Sequence, residues 1–151
     1  NLQVVVVPAP GITLNHIPEN FKIEPNARKA MTSATAAIVA SGTATLECAV
    51  EETPIVVCYK ISLLSWLLTK FMINIHYASI VNLIADDDIV PEYLQNKMTP
   101  ENLAAAVEPL LDTSNAKRKK MLTGFDTVRR TLGMPGVYGR AAEAIVSRNK
   151  E

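Results

Sequence analysis

Apolar residues in the first sixty positions of the chain cluster into short runs that predict β-strands. The runs span residues 2–7, 21–24, 36–40 and 54–59, and they are rich in β-branched residues. Residues 2–7 are continuously hydrophobic, a pattern typical of a strand covered on both faces. Residues 44–52 have helical composition, so the order strand, helix, strand predicts a right-handed parallel crossover. Asn26 can cap a further short helix that reaches Met31. The pattern predicts an α/β fold, with a parallel sheet flanked by helices.

The last third of the chain has helical periodicity, and the pattern predicts no strand after it. Thr99 followed by Pro100 is typical of a helix start. A second helix is predicted from about residue 114 to 132 and a third from 137 to 148, which gives a helical tail over about residues 99–151. No segment has the composition of a linker, so residues 1–151 are predicted to form a single domain.

Residues 61–75, with the sequence ISLLSWLLTKFMINI, form the most hydrophobic segment. Its uninterrupted apolar stretch is shorter than the roughly 20 residues that span a bilayer, so we predict no transmembrane helix. As a helix, the segment would be apolar around more of its circumference than packing on a core requires. Two interpretations stay open: a helix buried between domains, or an interfacial helix that touches lipid. Either one assigns the contact to Leu64, Trp66, Leu67, Leu68 and Phe71.

The composition narrows the class of function. The chain has 151 residues with 15 basic and 15 acidic side chains, so no overall field attracts nucleic acid. Aromatic residues make up only 5%, too few for a base-stacking platform. The two cysteines and two histidines show no spacing typical of a metal site or a disulfide framework. We therefore expect no nucleic-acid partner and no metal.

The segment SGTATLE, residues 41–47, carries the strongest chemical signal. It lies where a predicted parallel strand ends and a helix begins, which is where open α/β sheets bind ligands. A helix N-terminus offers unpaired N–H groups and a partial positive charge to a phosphate. Gly42 lets the backbone come close, and Glu47 can accept hydrogen bonds from ribose hydroxyls. The hydroxyls that can donate to phosphate belong to Ser41, Thr43 and Thr45. A bare helix cap without a ligand stays open as the alternative.

Four segments of the chain together resemble the C-terminal half of the lipid-A-disaccharide synthases. They are SGTATLECAVEETPIVVCYK at 41–60, YAS at 77–79, VNLIA at 81–85 and VPEYLQ at 90–95. The resemblance implies a Rossmann-like domain, the UDP-sugar-binding C-terminal half of a two-domain, type-B glycosyltransferase. It implies transfer of 2,3-diacylglucosamine from UDP-2,3-diacylglucosamine to 2,3-diacylglucosamine 1-phosphate. It also implies that no metal and no cofactor takes part, the UDP-sugar being the substrate.

The same resemblance implies roles for individual residues. The diphosphate-facing turn corresponds to Ser41, Gly42, Thr43 and Thr45, and the acid at the ribose to Glu47. Asn82 matches a position linked to donor binding or catalysis. Glu92 and Gln95 match a polar pair near the donor. Val81 stands where the family usually has proline, which implies a looser backbone at Asn82.

The resemblance further implies partners and a location. An N-terminal domain, absent from this chain, would hold the acceptor and the general base, so this chain alone is expected to be inactive. The enzyme would be peripheral on the cytoplasmic face of the inner membrane, with a homodimer as one open arrangement. The basic cluster KRKK at residues 117–120 fits either a solvated helix face or contact with anionic lipid headgroups.

Two other functions stay open on the residues alone. One is a different UDP-sugar transferase or an epimerase domain, which needs neither acyl recognition nor the apolar helix at residues 61–75 near the membrane. The other is a non-catalytic interaction module, whose apolar segment 61–75 binds a protein partner. Binding of diacylated and unacylated UDP-sugars separates the other transferase or epimerase from the function that the resemblance implies. Binding to lipid vesicles separates the interaction module from it.

Overall fold

The computed structural model describes residues 2–62, 77–134 and 136–148 of the chain. Strands and helices alternate from residue 22 to residue 94 of the described part, and a 3-10 helix at Gln95–Lys97 and three α-helices follow. The strands are β1 (Val5–Val6), β2 (Lys22–Ile23), β3 (Ala37–Ala40), β4 (Ile55–Tyr59) and β5 (Glu92–Leu94). The helices are α1 (Ala27–Ser33), α2 (Thr43–Val50), α3 (Ile80–Ala85), α4 (Pro100–Leu111), α5 (Ala116–Leu132) and α6 (Val137–Arg148).

All strand pairs in the described residues are parallel, and they form two separate sheets. The first contains β1 and β2, and the second has the order β3-β4-β5. In the larger sheet Ile38 lies opposite Val56, and Val57 lies opposite Glu92. Helix α2 connects β3 to β4 as the crossover of a strand-helix-strand unit, as the pattern predicted. The α/β class with parallel strands flanked by helices is therefore confirmed.

Local sequence explains where several helices begin. The side chain of Asn26 accepts from the Lys29 N–H at the start of α1, and Thr99 caps α4 with Pro100 as its first residue. Asn115 caps α5 in the same way. These side chains satisfy N–H groups that a helix otherwise leaves without acceptors. The predicted helices of the C-terminal third are present within one or two residues of their expected bounds.

The core lies where α2, α3 and α5 contact one another beside the central strand β4. Helix α4 contacts β3, β4 and α5. Gly124 of α5 lies so close to the segment before β5 that an added Cβ would be 2.6 Å from the Ile89 side chain. A larger residue there would force the Ile89 side chain to move. The apolar residues of the core are Cys48, Ala49, Ile55, Val56, Val57, Val81, Val90, Leu110, Met121, Phe125 and Val128.

The prediction of a doubly covered strand at residues 2–7 is wrong. Only Val5 and Val6 are in strand conformation, and Val5 keeps 43% of its surface exposed. Among the described residues they pair with the two-residue strand β2, whose Ile23 is itself exposed. A run of β-branched residues indicates an extended backbone, but it does not indicate whether other elements bury that strand.

The predicted apolar helix at residues 61–75 lies almost wholly outside the described residues, and so do the five contact residues assigned to it. The described Ile61 and Ser62 are not helical. Among the described helices, none combines the length and the apolar character that crossing a bilayer requires.

Candidate functional site

The carboxyl ends of β3, β4 and β5 meet at one edge of the larger sheet, because the three strands are parallel. Ser41 and Gly42 follow β3 there, Lys60 and Ile61 follow β4, and Gln95 follows β5. The eight residues proposed for the donor site thus lie on or beside elements that the sheet brings together. Their side chains divide into two groups with different environments.

The first group surrounds the start of α2. Gly42 is the N-cap residue, and no side chain caps the helix. Among the described residues, the backbone N–H groups of Gly42, Thr43 and Ala44 have no hydrogen-bond acceptor. These N–H groups and the positive end of the helix dipole are left available for an anion.

The hydroxyls of this turn differ in what they already bind. Ser41 donates its hydroxyl to the carbonyl oxygen of Ala78 at 2.9 Å, and the buried Thr45 donates to the carbonyl of Gly42 at 2.7 Å. Thr43 is exposed and makes no side-chain hydrogen bond within the described part of the chain. Of the three predicted hydroxyl donors, only Thr43 has its proton free for a phosphate.

Helix α2 turns one face to the core and the other to an open groove against α1. Thr43 and Glu47 lie one turn apart on the outer face and line this groove, which encloses about 430 Å³. Glu47 is exposed and has no hydrogen-bond or ion-pair partner among the described residues. On the inner face, burial, with a smaller contribution from the charge of Glu47, raises the pKa of the Cys48 thiol to about 11. Cys48 therefore stays protonated and belongs to the core.

The second group, Asn82, Glu92 and Gln95, is bound within the protein. Asn82 has no exposed surface, and its amide makes four hydrogen bonds. It donates to Val90 O at 2.9 Å and Glu92 Oε1 at 2.8 Å, and it accepts from the Ile89 and Val90 N–H groups at 2.9 Å each. Val81, where the resemblance implied a looser backbone, is fully buried in α3.

The side chains of Glu92 in β5 and of Gln95 after it are also hydrogen-bonded within the protein. Both carboxylate oxygens of Glu92 accept hydrogen bonds, from the N–H groups of Ala78 and Ser79 and from Asn82. The amide of Gln95 lies 3.2 Å from both the N and the O of Ile61, in the orientation that donates to the carbonyl and accepts from the N–H group. Gln95 therefore fixes the chain where it leaves β4.

The electrostatic environment of the second group is negative. Tyr77 has its pKa raised, first by burial and then by the charges of Asp88, Asp86, Asp87 and Glu92. Four carboxylates therefore lie near Tyr77 on this side of the edge. The uncapped start of α2 is the better position for an anion.

Comparison with known proteins identifies the family. The family model for lipid-A-disaccharide synthetase matches residues 13–134 of the chain. The chain belongs to the lipid-A-disaccharide synthetase family. The match includes both groups of the candidate site.

Three relatives of the family are similar along most of this chain. The lipid-A-disaccharide synthase of Myxococcus xanthus is 37% identical over 96% of the chain and 40% of its own length. That of Solibacter usitatus is 44% identical over 82% of the chain and 32% of its own length. That of Rhodospirillum centenum is 35% identical over 97% of the chain and 39% of its own length. The chain thus spans two fifths or less of the length of these curated relatives.

The sequence did not predict the part that the backbone at residues 78 and 79 plays in this family member. The N–H groups of Ala78 and Ser79 bind Glu92, and the Ala78 carbonyl binds Ser41. A peptide group leaves no signature in a sequence. A signal for α3 did exist, because Ser79 precedes an apolar stretch and caps it by accepting from the Asn82 N–H group. Six residues are too few for helical periodicity to show.

Proposed function

We propose that this chain is the UDP-sugar-binding, C-terminal domain of an enzyme that forms lipid A disaccharide. The enzyme transfers 2,3-diacylglucosamine from UDP to 2,3-diacylglucosamine 1-phosphate. The observation that carries the proposal is the uncapped N-terminus of α2 at the carboxyl edge of a parallel sheet, in a chain of the lipid-A-disaccharide synthetase family. Parallel α/β sheets bind nucleotides at this edge.

In the proposed reaction the bond between the sugar C1 and the diphosphate oxygen breaks, while the acceptor hydroxyl forms the new bond to C1. The departing UDP gains negative charge as its bond breaks. The N–H groups of Gly42, Thr43 and Ala44 and the Thr43 hydroxyl are positioned to donate to its phosphate oxygens. Fixed donors of this kind stabilise developing charge without reorganisation. We assign the base that takes the acceptor proton to a domain outside this chain.

The nucleoside of UDP extends from the diphosphate toward Glu47 in this proposal. Glu47 is one helical turn from Thr43, and its carboxylate is free to accept hydrogen bonds from the two ribose hydroxyls. The groove that both residues line has the volume of an ordinary small-molecule site. Asn82, Glu92 and Gln95 support the donor site from within the protein instead of contacting the donor with free polar atoms.

We also propose a peripheral location on the cytoplasmic face of the inner membrane, with an N-terminal domain and a second copy of the enzyme as partners. The first turn of α5 presents exposed Lys117, Lys119 and Lys120, which can attract anionic headgroups. Arg118 of the same cluster is used inside the fold, because it donates to the carbonyls of Thr35 and Leu110. Cosedimentation with vesicles containing anionic lipid tests the location, and charge reversal of the three lysines should reduce binding.

Thermal unfolding of this chain with UDP tests the donor site. At one hundred times the dissociation constant, a ligand that binds only the native state adds about 2.7 kcal/mol of stability. For a chain of this size the midpoint should rise by roughly 5 to 10 °C. Glu47→Ala should weaken UDP binding by about 1.5 to 3 kcal/mol, the contribution of a hydrogen bond to a charged group.

ATP serves as the ligand control, and Glu108→Ala serves as the matched variant because Glu108 is exposed on α4. A shift with UDP that is absent with ATP and reduced only by Glu47→Ala supports the proposal. The absence of a shift in the wild-type chain, or an equal shift in Glu47→Ala, contradicts it. Comparison of diacylated with unacylated UDP-glucosamine then separates this function from that of another UDP-sugar transferase.

A further inference from the structure

We infer that Glu92 and Asn82 are positioning residues that hold the segment before α3 against the Ser41–Gly42 turn. They thereby set the geometry of the N–H groups that bind the diphosphate. The inference rests on the proposed donor site and deepens it. The evidence is a continuous chain of hydrogen bonds from Asn82 to Ser41.

Glu92 is the centre of this chain of bonds. Its Oε2 accepts from the Ala78 N–H group at 2.7 Å, and its Oε1 accepts from the Ser79 N–H group at 2.8 Å. The Asn82 side chain donates to the same Oε1 at 2.8 Å. Three donors thus converge on one carboxylate, which is the type of partner that backbone N–H groups bind most strongly.

Asn82 fixes the position of Glu92 in turn. Its two acceptor bonds, from the Ile89 and Val90 N–H groups, hold the chain that leads into β5, and its amide donates to Glu92 itself. All four hydrogen-bonding positions of the amide are used, and the residue has no exposed surface. A buried amide in this state acts on a ligand only through the groups that it holds.

Ala78 joins the carboxylate to the donor turn. Its N–H group donates to Glu92, and its carbonyl accepts from the Ser41 hydroxyl at 2.9 Å. Ser41 is anchored on its other side, because its own N–H group donates to Cys58 O at 3.0 Å. A shift of the Glu92 carboxylate would therefore move the backbone of Ala78. Because the Ala78 carbonyl binds Ser41, the residue before Gly42 would move as well.

The variant Glu92→Gln tests the first link. Glutamine keeps the size of the side chain but replaces one acceptor oxygen with an NH₂ group, so an N–H group of residues 78–79 or the Asn82 amide faces another donor. We expect the Ala78 and Ser79 amides to exchange hydrogen at least about tenfold faster. The ¹H–¹⁵N resonances of Ser41 and Gly42 should shift, and the dissociation constant of UDP should rise about tenfold.

Glu108→Gln is the matched control, since it makes the same chemical change at an exposed position of α4. It should leave the exchange rates, the Ser41 and Gly42 resonances and UDP binding unchanged. A purely structural role of Glu92 would raise exchange near residues 78–79 without changing the resonances of Ser41 and Gly42 or the affinity for UDP. That result would overturn the inference.

A double-mutant cycle with Ser41→Ala tests the second link, and the single variant Ser41→Ala carries the test if Glu92→Gln does not fold. If Glu92 acts through Ala78 and Ser41, the two effects on UDP affinity are less than additive. Full additivity contradicts the inference. In Ser41→Ala, the ¹H–¹⁵N resonances of Ala78 and Ser79 should shift, because the Ala78 carbonyl loses its hydrogen bond from Ser41. Unchanged resonances contradict the coupling.

The failure of the donor site and the failure of the positioning role are distinguishable. If the wild-type chain does not bind UDP, the proposed function falls. The amide resonances of Ser41 and Gly42 in Glu92→Gln still decide whether Glu92 controls the turn, because that measurement needs no ligand.

Discussion

The two sides of the sheet edge contain similar polar residues but use them in opposite ways. At the start of α2, Thr43 and Glu47 are exposed and unpartnered within the described residues, and three N–H groups have no acceptor. Beside α3 and β5, the amide of Asn82 and the carboxylate of Glu92 are engaged by the protein itself. Position in a family motif is the same kind of evidence for both groups, and the structure separates them into exposed residues without a partner among the described residues and residues that are hydrogen-bonded within the protein.

The difference teaches that burial decides what a polar side chain at this edge can do. A buried amide must be fully hydrogen-bonded, or it destabilises the fold. Its removal should therefore reduce stability first and binding second. An exposed carboxylate contributes little to folding, so its removal should reduce binding alone. The following predictions, from the largest expected effect to the smallest, test this division.

Asn82→Ala should lower the free energy of unfolding by about 2 to 4 kcal/mol, because the Val90 N–H group loses its acceptor in a buried place and the Ile89 N–H group keeps only the Asp87 carbonyl. Urea unfolding followed by circular dichroism measures the change. Asn96→Ala is the control, since Asn96 is exposed and makes no side-chain hydrogen bond among the described residues. It should change the unfolding free energy by less than about 0.5 kcal/mol. Equal costs for the two variants would contradict the division.

Gly124→Ala should lower the free energy of unfolding by about 1 to 3 kcal/mol, because its Cβ would lie 2.6 Å from the Ile89 side chain. The Ile89 N–H group donates to Asn82, so this variant places strain from α5 on the segment that Asn82 binds. Gly139→Ala in α6 is the matched control, since no atom lies within 4 Å of its added Cβ. The control should gain up to about 1 kcal/mol from helix propensity. Thermal midpoints measured side by side would refute the prediction if both variants gained stability.

Asp112→Asn should have the smallest effect, although Asp112 also accepts two hydrogen bonds, from the Ser114 hydroxyl and N–H group. These bonds lower the pKa of Asp112 from its usual 3.8, and the residue is exposed. A lowered pKa in the folded state favours folding above the unfolded-state value, and the gain is lost as the pH falls through the folded-state value.

The stability difference between wild type and Asp112→Asn should therefore shrink as the pH is lowered from about 5 toward 2. Urea midpoints at a series of pH values measure it. Asp88→Asn is the control, because the Asp88 side chain accepts no hydrogen bond among the described residues. A difference for Asp112→Asn that did not change with pH would show that the two bonds do not favour the charged form.

Local signals in the sequence predicted the elements whose cause is local. Thr99 and Pro100 marked the start of α4, and Asn26 marked that of α1, because capping depends on residues within one turn. The parallel pairing of β3 with β4 followed from the helix between them. The place of the SGTATLE segment between β3 and α2 was predicted for the same reason.

Features with a non-local cause were not predicted. Strand β5 has three residues, and it is defined by pairing with Tyr59 and its neighbours, which lie more than thirty positions earlier. The hydrogen bonds of Asn82 and Glu92 join α3 to β5, and those of Gln95 reach back to Ile61. No local pattern distinguishes an asparagine that faces a ligand from one that is buried and fully bonded. The roles of these side chains at the donor stay predictions.

Ala78 makes its contacts through the backbone and not through its side chain. Its side chain is exposed, and both of its bonds, to Glu92 and from Ser41, are made by its peptide groups. A scan that exchanges side chains would find position 78 tolerant, because most replacements leave both bonds in place. Proline alone lacks the N–H group and would remove one of them. Tolerance to substitution at such a position therefore shows that the side chain makes no required contact. It does not show whether the backbone hydrogen bonds are required.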